Sequence, residues 1–162
     1  MHSLPRSLAI ALPLFLWACP GEDKPTCGNL DTTLMKRDAP VSFSREVAPI
    51  LGTAGQTCSF RSSCHGTELT SNGLYLADPI AARLHGRLVG VPSRHLPSMP
   101  LIKAGEPQSS YLMRKLDNTH CQLSSRCDKG DCGLAMPFNS DPLEPDVRNI
   151  VRTWILEGAP NN

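Results

Sequence analysis

The chain has 162 residues, a formal charge of +1, 40% hydrophobic and only 5% aromatic residues, and it carries 15 prolines and 12 glycines. That length suits one ordinary domain, and a near-neutral charge without a basic stripe excludes an electrostatic nucleic-acid surface. So few aromatics make a thin core, one that disulfides or a bound group would help to fold, and the prolines and glycines imply a large share of loop.

The first element is a leader. Arg6 precedes an apolar run from Leu8 to Trp17, which Ala18-Cys19 follows. Residues 1–18 read as a secretory signal, too short for a permanent membrane span. Leu16-Trp17-Ala18-Cys19 resembles a bacterial lipobox, which implies that Cys19 carries lipid and anchors the chain at the cell envelope. Loss of the leader removes Arg6 and no acid, leaving 15 basic and 15 acidic residues. Residues 19–40 are polar and without period, and read as a flexible tether. Six cysteines follow Cys19, namely Cys27, Cys58, Cys64, Cys121, Cys127 and Cys132; in an exported chain they are expected to be oxidised or bound to a cofactor.

In SFSREVAPIL, Phe43, Val47, Ile50 and Leu51 fall on one helical face, with Ser42 or Ser44 as cap and Pro49 as a kink. CSFRSSCHG follows, from Cys58 to Gly66. Covalent haem needs a thiol that adds to a vinyl group and a histidine beside it that ligates iron, and Cys64-His65 supplies both in one backbone step. The next helix is expected over Asp78 to Val89, capped by Asp78, with Pro79 first and Ile80, Leu84 and Leu88 in a stripe. Another opens at Pro107 and pairs Leu112 with Leu116. A polar cysteine loop then carries Cys121, Cys127 and Cys132. Beyond it lies Met136-Pro137, whose thioether is a suitable second axial ligand for electron transfer. The last helix is the clearest: Pro145 opens it, Val147, Ile150, Val151, Trp154 and Ile155 form its apolar stripe, and Gly158 stops it. No strand is expected.

In order, FSREVAPIL, SSCHG, GLYLADP, LIKAGEPQSSYLMRKL, AMPF and DVRNIVRTWILEGA resemble the cytochrome-c-like domains of exported planctomycete and myxobacterial proteins. The resemblance implies an all-α, loop-rich domain over residues 41–160, with about four helices around one haem c. It also implies His65 as proximal ligand, Met136 as distal ligand and Cys64 as a thioether bond. The family's first attachment cysteine maps onto Arg61, so the nearest upstream sulfur is Cys58. Three states of this pair stay open: two thioethers with residues 59–63 bulged, one thioether through Cys64, or a Cys58–Cys64 disulfide. Cys27, Cys121, Cys127 and Cys132 are disulfide candidates, preferred over zinc with His120 because the spacing lacks paired C-x-x-C. Met99-Pro100 ranks below Met136 as ligand source, and His85, His95 and His120 are expected as solvated side chains. The expected function is one-electron transfer between redox proteins of the envelope, a carrier rather than an enzyme. The alternative is a haem-free, disulfide-stabilised binding or structural lipoprotein; an iron without Met136 would allow peroxidase-like activity.

Overall fold

Pro145 has its φ pre-set for a helix start and lacks an N–H that would in any case go unpaired. In the computed structural model, which describes residues 27–32, 34, 36–53, 58, 64–67, 73–138 and 140–162, a helix runs from there, Pro145–Leu156. Of its expected stripe Val151, Trp154 and Ile155 are at 0% exposure, while Val147 and Ile150 are half-buried. Gly158, at φ +95°, ends it. Two shorter α-helices precede it, so that α1 is Ala81–Gly86, α2 is Tyr111–Leu116 and α3 is Pro145–Leu156. Among the described residues there is no strand, only the isolated bridges Val89–Ile102 and Pro92–Pro100. The all-α expectation holds at that level.

The first element differs from its expected form. SFSREVAPIL makes two π-helical turns, Phe43–Val47 and Pro49–Thr53, rather than an α-helix. The apolar face is nonetheless buried, with Phe43, Val47 and Leu51 at 0%. Ser42 makes no side-chain cap. Instead Glu46 Oε2 accepts from the Ser42 N–H at 2.9 Å, and Asn162 Oδ1 accepts from the Phe43 N–H at 2.7 Å. Glu157 Oε2 also accepts from the Val41 N–H at 2.8 Å. The orphan donors of this helix start are thus satisfied from the far end of the chain.

α1 begins three residues later than expected. The Asp78 carboxylate accepts from the Ile80 N–H at 3.0 Å, which turns the chain before the helix rather than capping it. Ile80 therefore lies outside the stripe and is 44% exposed, whereas Leu84 and Leu88 are at 0%. Pro107 opens a 3-10 turn, Pro107–Ser109, that leads into α2, where Leu112 and Leu116 are both buried.

α3 packs across the first π-helical turn and against α2, and α1 packs on that same turn. At the junction Trp154 lies 5.0 Å from Phe43, ring centre to ring centre, and the His85 ring meets Phe43 edge-on at 5.2 Å. One main core gathers these with Leu51, Leu76, Leu84, Ile102 and Met113. Each such aliphatic side chain contributes about 1.5–3 kcal/mol by burial. A second, smaller cluster, with Leu96, Met99, Tyr111 and Leu123, lies under the cysteine loop and includes Cys127 and Cys132.

Two disulfides, Cys27–Cys121 and Cys127–Cys132, join the four cysteines named as candidates. The first corrects the tether. Within the span 19–40, Cys27 is bonded to the domain, the Gly28 N–H donates to the Asn118 carbonyl at 2.7 Å, and Arg37 pairs with Glu46 at 2.6 Å. The signal over residues 1–18, Cys19 and the rest of the tether to residue 26 lie outside the described residues.

Candidate functional site

His65 is held by its own neighbourhood. Its backbone N–H donates to the Cys58 carbonyl at 3.1 Å, which sets His65 beside Cys58. Its carbonyl accepts from the Leu76 N–H at 2.9 Å. Its ring Nδ1 lies 2.8 Å from the Leu74 carbonyl oxygen, which can only accept, so Nδ1 carries the proton. Leu76 is fixed in turn by Gly52, where a Cβ would fall 1.7 Å from the Leu76 oxygen. Only glycine lets the second π-helical turn approach the segment that orients His65 so closely.

The consequence is chemical. Burial pulls the His65 pKa below its ordinary value, opposed by the Leu74 carbonyl. Near neutral pH the ring is therefore uncharged, with its lone pair on Nε2. A ligating histidine has this arrangement: one nitrogen committed to a carbonyl, the other offered to a metal.

Cys58 is buried within the main core and Cys64 is half-buried. Neither enters the Cys27–Cys121 or the Cys127–Cys132 disulfide, and the three states of this pair stay open. Residues 59–63, including Arg61 and the expected bulge, lie outside the described residues. Met136 is half-buried and packs against the same core that holds Cys58. A cis peptide joins it to Pro137, and its N–H donates to the Lys115 carbonyl at 3.1 Å. The described residues thus set His65 beside Cys58 through one backbone bond, and place Cys58 and Met136 on the same core. Directly after His65 runs an open groove of about 430 Å³ lined by Gly66, Thr67, Tyr75, Asp78, Arg83 and Arg87. The Arg87 guanidinium stacks 5.3 Å from the Tyr75 ring centre.

The other candidates separate from this site. Met99 is buried in the second cluster. No group of three or more His, Cys, Asp or Glu side chains converges as a metal site among the described residues, and Cys121, Cys127 and Cys132 are consumed in disulfides, which removes the zinc alternative. His85 is no solvated side chain: its Nε2 lies 2.8 Å from the Ala159 carbonyl and its ring abuts Trp154. His95 is half-buried, its Nδ1 3.2 Å from the Asp131 carbonyl. His120, also expected in solvent, is 5% exposed because the 3-10 turn His120–Arg126 faces it inward.

That burial predicts a pH effect. Desolvation lowers the His120 pKa to about 4 and the nearby Lys115 charge adds to it, against the Gly133 and Arg114 backbone and Asp131. Between about 6.5 and 4 the unfolded chain binds a proton that the folded chain does not, so stability falls as pH falls through that window. From pH 7.5 to 5 the loss should be about 2 kcal/mol, read from urea midpoints, and His120→Gln should flatten it. A wild-type midpoint independent of pH over this range would contradict a buried neutral His120.

Reading the sequence missed the Leu74 carbonyl, since every residue has one, and passed over Lys115. It also missed the buried ion pairs of Asp117 with Arg148 and Arg152. Their signal was present in part, since Arg148 and Arg152 are four apart on one helix face. No protein-family description, curated protein or solved structure matches this chain.

Proposed function

We propose that this chain is a c-type haem-binding, electron-transfer lipoprotein of the cell envelope, with a cytochrome-c-like domain. One observation carries the reading: His65 commits Nδ1 to the Leu74 carbonyl and so carries its lone pair on Nε2, one residue from Cys64. The donors present suit the group, being an imidazole, one or two thiols and a thioether, all soft or borderline ligands. Haem, when bound, would supply a one-electron couple.

The roles of the residues follow from their chemistry. His65 offers the proximal nitrogen, and the Leu74 carbonyl raises its basicity and holds the ring plane. Cys64 supplies the S–H that adds across a vinyl group, sulfur to one carbon and hydrogen to the other, with no net oxidation. Cys58, on this reading, is a second, less favourable thiol because five residues separate it from Cys64. Met136 would supply a thioether sulfur, and a group held by both His65 and Met136 would carry electrons rather than bind substrate, which is why the chain is read as a carrier. Arg83 and Arg87, in the groove beside His65, are cations suited to the carboxylates of a porphyrin. Lipid on Cys19 would keep the domain beside redox proteins of the envelope.

The haem-free lipoprotein is the second reading. It is favoured by Trp154, whose indole is fully buried by protein side chains, Phe43 and His85 among them. Co-expression with haem-attachment machinery decides between them. Haem should stay with the polypeptide after denaturation, and Cys64→Ala should release it. His65→Ala should reduce loading, and Met136→Ala should abolish the sulfur-to-iron absorption band. Colourless protein from competent cells would leave only the second reading standing.

A further inference from the structure

Met136 sits in a run without regular structure, and something must hold it if its sulfur is to meet a fixed point. Most of that hold traces to Lys115, a residue of α2 that is 7% exposed. Its ammonium donates to the Cys132 carbonyl, and to the Leu134 carbonyl at 2.7 Å. Its own carbonyl accepts from the Met136 N–H at 3.1 Å. The three gripped positions, 132, 134 and 136, offer two carbonyls and one N–H to the same residue within five positions of the chain.

The surroundings are built to admit this side chain. Tyr111, one helical turn before Lys115, donates its hydroxyl to the same Cys132 carbonyl at 2.5 Å. The Cys127–Cys132 disulfide anchors the start of the run. Gly133 has φ +68°, and a Cβ there would lie 2.9 Å from Lys115 Nζ, so any larger residue would crowd the ammonium off its carbonyls. A buried lysine is costly unless hydrogen-bonded, and an apolar residue of similar length would fill the space more cheaply. The geometry therefore gives the lysine a task other than core filling.

We propose that Lys115 is the positioning residue for Met136, clamping residues 132–136 so that the thioether is held in place for the iron. The ligand half of this statement rests on the haem reading above; the clamp itself does not.

The two halves are tested together. In the full chain, Lys115→Met should leave fold and covalent haem intact. It should speed hydrogen exchange at the Met136 amide at least about tenfold, the effect of losing charge-assisted hydrogen bonds, while α3 amides keep their protection. In the haem-loaded protein the same change should weaken the sulfur-to-iron band and shift the reduction potential, and Lys115→Arg should restore part of both. If Lys115→Met does not fold, Gly133→Ala serves, because it displaces the ammonium with the lysine still present and should give the same local exchange and spectral loss. Unchanged exchange at Met136 in the variant that folds overturns the clamp. Faster exchange with an unchanged band overturns the positioning role. A wild-type protein without covalent haem fails the functional reading instead, and the exchange measurement on that haem-free chain still judges the clamp.

Discussion

Asp117→Ala should destabilise the protein by about 3–5 kcal/mol, the usual effect of stranding a buried charge. Asp117 follows α2, and its carboxylate is 3% exposed. Oδ1 accepts from Arg148 Nη1 and from Arg152 Nη2, and Oδ2 accepts from Arg152 Nη2, each at 2.7 Å. This is the one carboxylate that joins α2 to both arginines of α3. Arg152 is the vulnerable partner at 1% exposure, since its guanidinium has no route to water once the anion is gone. Asp31 lies 3.5 Å away and Asn149 offers one oxygen, too little to replace a two-oxygen acceptor. Arg148, at 16% side-chain exposure, reaches solvent more easily, so Arg148→Ala should cost far less, about 1 kcal/mol. Urea unfolding with an unchanged slope gives the measurement. The paired change Asp117→Leu with Arg152→Met should recover most of the loss, because removing both charges also removes their desolvation cost. A single Asp117→Ala loss below about 1 kcal/mol would mean that water reaches Arg152 after all.

This network also marks where reading the sequence stopped. α3 was legible because its whole signal is local: a proline at the start, five apolar residues in register and a glycine at the end. The first element was legible as an apolar face but not as π-helical turns, because its N–H groups are satisfied by Glu157 and Asn162, more than a hundred residues away. Asp117 and Arg152 are likewise far apart in the chain, and neither residue type alone suggests burial. On the haem reading, Cys64 and His65 were legible because two bonds to one group would demand adjacency. The carbonyl of Leu74 was not, since backbone acceptors have no letter in the sequence. Lys115 was passed over for a related reason: its partners are carbonyls in a loop whose path no periodicity reports.

Removal of the Cys27–Cys121 disulfide should have the other large effect, and chain entropy explains why it exceeds that of its neighbour. The bond spans a sequence separation of 94, against 5 for Cys127–Cys132. Closing the longer loop in the unfolded chain is worth about 4–5 kcal/mol, the shorter about 2. Cys27→Ser with Cys121→Ser should therefore lower Tm by roughly 15 °C in calorimetry, and Cys127→Ser with Cys132→Ser by less than half of that. The strap also makes native contacts. Beside the ion pairs Arg37–Glu46 at 2.6 Å and Asp31–Arg152 at 3.5 Å, Gly28 to Asn118 at 2.7 Å, Gln122 to the Gly28 carbonyl at 2.8 Å and Gln108 to the Asp31 carbonyl at 3.0 Å are single neutral bonds. Each contributes about 1 kcal/mol and survives only while the strap is docked. On the lipoprotein reading the bond does a second thing: it leaves eight chain steps from Cys19 to Cys27 as the whole leash, roughly 28 Å at full extension. Without the disulfide the strap can peel and the leash lengthens, so the reduced double variant should also expose residues 27–40 to protease while α3 stays protected. Equal Tm losses for the two disulfide pairs would contradict the loop-length argument and point to native contacts around Cys127 and Cys132 as the larger contribution.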